Sequence, residues 1–300
     1  MSDSQAGRGV GVILRGVGGF YEVLGEDGHT YTLRPQGKLR RQRVTPMVGD
    51  RVAFEPGQGE QHGWLEAILP RRNRMDRPPV ANVDLLVLVV AAGTPQPDLM
   101  LVDRLLLCAR LNAVPAALMV NKADEDPGFA HDIAAQYAGA GIALFVASAR
   151  CGDGLEALRA GLAGRTAALC GQSGVGKTTA LNALYGLDRP TGELSARVER
   201  GKHTTRHAEL IPVAGGARVL DTPGFSLMEL PLMPPEELAP LMPEFAPYQG
   251  QCRFSPCAHA SEPDCAVRAA ADFGAINGRR WARYVELLNE MRERWKNRYD

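Results

Sequence analysis

The octet Gly171-Gln172-Ser173-Gly174-Val175-Gly176-Lys177-Thr178 fits the pattern G-x4-G-K-[ST], and no other stretch restricts the fold of this chain so tightly. An apolar strand, Ala167–Cys170, leads into it, and a helix over Thr178–Leu184 is predicted to follow. That setting matters because the glycines let backbone N–H groups converge on phosphate oxygens at the positive end of a helix. Lys177 is expected to bridge the β- and γ-phosphates of a nucleotide and to act catalytically, with the Thr178 hydroxyl on Mg²⁺. Gln172, Ser173, Val175 and Thr179 belong to the same expected nucleotide-binding set.

A strand–loop–helix of this kind lives in an α/β sheet, and the surrounding pattern agrees. Strand-like runs occur at Val83–Ala91, Ala116–Asn121, Leu144–Ala147, Thr166–Cys170 and Arg218–Asp221. Amphipathic helices are predicted between several of them, including Asp98–Leu111 and Asp132–Ala138. Strands alternating with helices argue for a mostly parallel, doubly wound sheet. Before this region the chain reads differently. Short apolar stretches at Val10–Leu14, Phe20–Leu24, Thr30–Leu33 and Arg51–Phe54 are separated by glycine turns, which predicts a small β-barrel with no competing helix. After it come prolines, a cysteine cluster and a long helix over Asn277–Arg298. The expected organisation is a barrel over 1–70, a linker over 71–82, the α/β domain over 83–230 and a mostly helical C-terminal domain over 231–300.

Other motifs identify the base. Asn121-Lys122-Ala123-Asp124 follows an apolar strand. Guanine offers N1–H and its N2 amine to one carboxylate, here Asp124. Adenine presents an acceptor at N1 and would leave that carboxylate unpaired, a mismatch that supports discrimination of ~10⁴. Asn121 would brace the neighbouring loops, and the Lys122 stem would pack over the ring. Ser148-Ala149 offers a loop N–H to guanine O6. Asp221-Thr222-Pro223-Gly224 ends a strand, placing Asp221 near Mg²⁺ and the Gly224 N–H near the γ-phosphate. Between the phosphate loop and this motif lies Gly201-Lys202-His203-Thr204-Thr205-Arg206, from which Thr204 or Thr205 should ligate Mg²⁺. Many GTPases place a water-orienting Gln after D-x-x-G, but Phe225 stands here and cannot orient water. His203 is the candidate replacement; the alternative is a loop histidine contacting backbone or RNA.

The motif order is rotated. In ordinary small GTPases the phosphate loop comes first and the guanine motif fourth, whereas here 121 and 148 precede 171, 204 and 221. Joining the original termini and reopening the chain elsewhere leaves the site unchanged. The new break falls after D-x-x-G, so movement at Gly224 would pull on residues beyond 231.

Cys252-x4-Cys257-x-His259-x5-Cys265 supplies three thiolates and an imidazole within fourteen residues. That set suits a structural, tetrahedral zinc with no open position. Cys108, Cys151 and Cys170 read as ordinary buried residues. The net charge is zero, so any nucleic-acid contact needs local basic patches. Candidates are Arg34–Arg43, with five basic and no acidic residues; Arg71, Arg72, Arg74 and Arg77; and Arg279, Arg280, Arg283, Arg292, Arg294, Lys296 and Arg298. A solvated charged face is the plain alternative for each. The polar N-terminus lacks an apolar signal segment and the longest apolar run, Leu85–Ala92, is too short to span a membrane, so a cytoplasmic, monomeric protein is expected.

Taken in order, N-K-A-D, S-A, G-Q-S-G-V-G-K-T, G-K-H-T-T-R, D-T-P-G-F and the Cys/His cluster resemble the RsgA/YjeQ family over nearly the whole chain. The resemblance implies an OB-type barrel, a circularly permuted GTPase domain and a zinc domain. It implies GTP hydrolysis stimulated by the small ribosomal subunit, a role in late maturation of that subunit with contacts to its rRNA, and a part for His203 in hydrolysis. The alternative is a GTP-dependent RNA-binding switch with negligible hydrolysis.

Overall fold

Alternating burial shapes the N-terminal strands, as the sequence pattern requires. A computed structural model describes residues 8–41, 44–57, 61–76, 79–191, 208–221 and 230–299. The chain divides into two units, one drawn from residues 1–86, 160–169 and 192–225, the other from 87–159, 170–191 and 226–300.

In the first unit, strands β1 (Gly9–Val17), β2 (Phe20–Gly25), β3 (Thr30–Pro35), β4 (Arg51–Glu55) and β5 (Gly63–Ile68) close a barrel in the order β1-β2-β3-β5-β4. The β3–β5 pair is parallel and the other pairs are antiparallel. Ile13, Val23, Leu33, Val52, Phe54 and Leu65 point inward, each at most 1% exposed, and with Leu39 they fill the core. The sequence reading lacked β5, and it lacked the short helix α1 (Gly37–Arg41), which tucks Leu39 into that core.

The span expected to be a linker carries β6 (Arg74–Asp76) and β7 (Pro79–Ala81), an antiparallel pair. Asn73 exchanges side-chain hydrogen bonds with the Val83 backbone, which holds the pair closed. Arg71 grips the fully buried Asp50 through two hydrogen bonds of 2.7 and 2.8 Å. Arg72 pairs with Asp84. These two arginines of the candidate basic patch therefore have partners within the fold, Arg71 part-buried and Arg72 exposed.

A six-stranded sheet runs β10-β9-β8-β11-β13-β12, from β8 (Leu85–Ala91), β9 (Ala116–Asn121), β10 (Ala143–Val146), β11 (Thr166–Cys170), β12 (Glu209–Pro212) and β13 (Arg218–Asp221). β12, absent from the sequence reading, pairs antiparallel at one edge. Every residue of β8 is buried, as expected of a strand covered on both faces. From β8 the chain moves outward to β9 and β10, then returns to place β11 on the other side of β8. Such a reversal opens a crevice at the carboxyl ends of the two strands, where α/β sheets bind ligands.

The remaining helices are α2 (Leu99–Leu111), α3 (Pro127–Gln136), α4 (Leu155–Leu162), α5 (Lys177–Tyr185), α6 (Ala266–Asp272) and α7 (Gly278–Lys296). The helix expected at Asp132–Ala138 begins earlier, because Asp126 caps it and Pro127 occupies its first position. The proline-rich stretch forms short 3₁₀ turns at Pro235–Glu237, Ala239–Leu241 and Pro243–Phe245. Leu238 and Met242, between these turns, and Phe245 at the end of the third join Tyr284, Leu288 and Met291 of α7 in one core.

Polar chemistry fastens α7 as well. Arg280 is buried at 2% exposure, ion-paired to Asp103 of α2 and to Glu244. Arg283 pairs with Asp103 at 2.5 Å and reaches Gln136 at 2.8 Å. Arg279 pairs with Asp132, and Arg294 donates to the Leu230 carbonyl. Four of the seven basic residues read as an RNA-facing stripe thus hold the helix in place. No helix among the described residues is long and apolar enough to cross a membrane.

Candidate functional site

The crevice is built by loops from four strands. After β11 the chain turns at Gly171, where a Cβ would lie 2.1 Å from the Val89 carbonyl oxygen, so only glycine fits. Gly176 caps α5 with φ of 92°, and a side chain there would meet the Asn121 amide at 2.4 Å. Ser173 and Gly174 lie exposed at the turn, while Val175 is buried beneath it. Thr178 and Thr179 occupy the first turn of α5. The Lys177 ammonium donates to the carbonyls of Gly171 (2.8 Å) and Gln172 (2.6 Å), and burial lowers its pKa. The Gln172 side chain accepts from the Asp98 N–H at 2.9 Å, joining the loop to the start of α2.

Asn121 is 1% exposed and ties three loops together. Its Nδ2 donates to the Val175 carbonyl at 2.8 Å, and its Oδ1 accepts from the Ala149 N–H at 2.9 Å. Its own carbonyl accepts from Ala92 N–H at the end of β8. The Ala149 N–H is therefore engaged within the protein, whereas a loop N–H on guanine O6 was expected. Asp124 stands exposed beside Ser148, whose hydroxyl hydrogen bond holds the carboxyl below the usual carboxylate range. Lys122 has φ of 61° and sends its ammonium to the Thr94 carbonyl. The 92–98 segment was missed in the sequence; its role is visible only through Thr94, Pro95 against Gly174, and Asp98.

Asp221 ends β13, opposite Glu209. Its side chain, together with His203, Thr204, Thr205 and Gly224, lies outside the described residues.

A second centre sits in the C-terminal segment. Cys252, Cys257, His259 and Cys265 bring one ligand atom each within 4.8 Å of one another. Nδ1 of His259 is 3.5 Å from Sγ of both Cys252 and Cys265, and those two sulfurs are 3.8 Å apart. Burial lowers the His259 pKa, favouring the neutral imidazole a metal needs, and pushes the Cys257 thiol up to about 12. The loop is held from outside by α7, where Trp281 Nε1 donates to the His259 carbonyl (2.9 Å) and Tyr284 to the Ala258 carbonyl (2.7 Å), and from within by Glu262, which accepts from the Ala258 and Ala260 N–H groups. In the sequence Trp281 and Tyr284 are marked only by falling within the helix expected over Asn277–Arg298. Cys108 and Cys170 are buried as expected, but Cys151 is exposed, in the turn after Ala149.

Comparison with known proteins accords with this geometry. The family model described as RsgA GTPase matches residues 68–231, and the RsgA N-terminal domain model matches 10–65. A Moorella thermoacetica protein named "Small ribosomal subunit biogenesis GTPase RsgA" is 43% identical, covering 94% of this chain and 97% of its own. The Ruminiclostridium cellulolyticum protein of the same name is 40% identical over 95% and 94%. Among solved structures, YjeQ from Thermotoga maritima superposes with a TM-score of 0.82 at 32% identity, covering 95% of this chain and 98% of that one. YloQ, described as a circularly permuted GTPase, gives 0.79 at 31% identity, covering 98% of both chains. With its phosphate loop after its guanine motif, and both on one crevice, this chain belongs to the RsgA GTPase family.

Proposed function

We propose that the chain hydrolyses GTP to GDP and phosphate when engaged by the small ribosomal subunit, and that it serves late maturation of that subunit in the cytoplasm. The observation that carries this reading is Asn121, which fixes the guanine, Ser148-Ala149 and phosphate loops in one frame. Asp124 then faces guanine N1–H and N2. The phosphate loop N–H groups and Lys177 hold the β- and γ-phosphates and stabilise charge on the transferring group. Water attacks the γ-phosphorus, the bond to the β-phosphate oxygen breaks, and the water's proton ends on phosphate. His203 is proposed to orient that water. Thr178, one of Thr204 and Thr205, and Asp221 would hold Mg²⁺, which neutralises phosphate charge.

For the second centre the donor set fits zinc. With Zn–S of about 2.3 Å and Zn–N of about 2.0 Å, a tetrahedron separates sulfurs by about 3.8 Å and sulfur from nitrogen by about 3.5 Å. The Cys252, His259 and Cys265 spacings are 3.8 and 3.5 Å. Four ligands leave no open position, so the metal's role is structural.

The proposed division is an RNA-binding barrel over 1–70, the connecting segment 71–82, the GTPase domain over 83–230 and a zinc domain over 231–300, acting as a monomer. The test is turnover with and without purified small subunits. Strong stimulation, lost in Lys177→Ala together with nucleotide binding, supports the reading. Binding without stimulated turnover would instead make the chain a switch. A His203→Ala chain that binds GTP normally and keeps full stimulated turnover would remove His203 from the mechanism.

A further inference from the structure

One band of side chains on the barrel's outer face has no part in the GTPase site or the barrel core. It runs across strands in register. Val17 of β1 pairs with Phe20 of β2, Arg34 of β3 pairs with Trp64 of β5, and Trp64 pairs with Glu55 of β4. The neighbours Leu33 and Leu65 point into the core at 0% exposure, so alternation turns Arg34 and Trp64 outward. The Arg34 guanidinium lies over the Phe20 ring, 4.4 Å from its centroid. His62 meets the same ring edge-on at 4.6 Å. Trp64 is 46% exposed, which leaves a large apolar ring surface in water.

Three planar rings and a planar cation in one band are the parts of a base-stacking platform. Bases stack on aromatic faces and on guanidinium planes irrespective of sequence, while nearby cations hold the phosphates. Among the described residues Arg34 has no carboxylate partner, so its charge is available to phosphate. Lys38 is exposed on the adjoining α1, adding a second cation. Glu55 at the far edge sets the limit of the band, since a phosphate would be repelled there. A duplex keeps its bases stacked on each other and offers none to Trp64; an unpaired strand does.

We propose that the Phe20–Arg34–Trp64 band binds single-stranded RNA by stacking its unpaired bases, with Arg34 and Lys38 on the phosphates. This rests on the ribosomal RNA role proposed above and narrows it to unpaired segments.

The test uses the full chain with single-stranded RNA of about twelve nucleotides and a duplex of the same length, at fixed salt. Trp64→Ala should weaken single-strand binding about tenfold and leave duplex binding within about twofold. Trp64→Phe should restore most of the loss. Arg34→Ala should weaken both RNAs, more so at low salt. The thermal midpoint of each variant checks that the barrel is folded. Equal losses for single strand and duplex in Trp64→Ala, or no loss in either, would overturn the proposal. So would unchanged oligonucleotide binding with weakened subunit binding, which would assign the face to a protein. Subunit stimulation of the unaltered chain is measured alongside. Its absence would count against the function proposed above, whereas normal stimulation with an insensitive Trp64 counts against this band alone.

Discussion

Asn121 and Asp124 divide the guanine motif between structure and recognition. Asn121 is buried and fully engaged with Val175 and Ala149, whereas Asp124 is exposed with its carboxylate turned to solvent beside Ser148. The two should fail differently when changed. Asn121→Ala leaves the Val175 carbonyl and Ala149 N–H without partners, at about 1–3 kcal/mol each way of loss. Thermal denaturation should show a lowered midpoint, and GTP and GDP affinity should fall together. Asp124→Asn should barely move the midpoint. It exchanges one acceptor for a donor, which mismatches the guanine N2 amine and matches the O2 carbonyl of xanthine. GTP affinity should drop about a hundredfold while a xanthine nucleotide gains, as competition binding would show. Equal affinity of the variant for both bases would contradict this assignment.

At the scale of elements, basic residues separate into those that hold the fold and those left over. Arg280 is the clearest member of the first group, buried against Asp103 and Glu244. Arg280→Met removes a cation but leaves two carboxylates in a dry pocket, so a loss of about 3–5 kcal/mol is expected by chemical denaturation. An exposed residue such as Lys296, changed to Met, should cost under about 0.5 kcal/mol. The metal loop is a different kind of element, a turn without helix or strand whose four ligand atoms converge. Chelation should lower stability, and the freed cysteine thiolates should take up protons from solvent as the metal leaves. In the metal-free protein, burial depresses the His259 pKa, so the folded state binds fewer protons than the unfolded one. Its contribution is complete above the unfolded value of about 6.5 and is lost as pH falls through the lower folded value. A metal-free chain whose midpoint rises on acidification through that window would reverse the sign.

For the whole molecule, what the sequence revealed depended on how local the responsible physics is. The phosphate loop, β8, β9, β11 and the Cys/His cluster were legible because each is specified within a few residues by glycine placement, an unbroken apolar run or ligand spacing. β5 and β12 were not. Gly63–Ile68 mixes Gly, Trp and Glu, and Glu209–Pro212 ends in proline, so tertiary pairing decides both. The linker reading failed for a related reason: Asn73 and Asn82 act on backbone about ten positions away, which no pattern of apolar residues records. Arg280 and Arg283 were the least legible, being buried and part-buried rather than surface charges. Arg280 and its partner Asp103 are 177 positions apart, and a charge whose partner is that distant reads as surface charge.

That separation has a consequence for how the protein is made. Asp103 and Gln136 emerge during synthesis well before Arg280 and Arg283 exist. Until α7 is translated, the Asp103 carboxylate lacks both of its arginine partners. Trp281 and Tyr284, which clasp the metal loop, arrive in the same short stretch. The central acidic pocket and the metal loop therefore both wait on α7 for their fastenings. A chain truncated before α7 would lack both fastenings together.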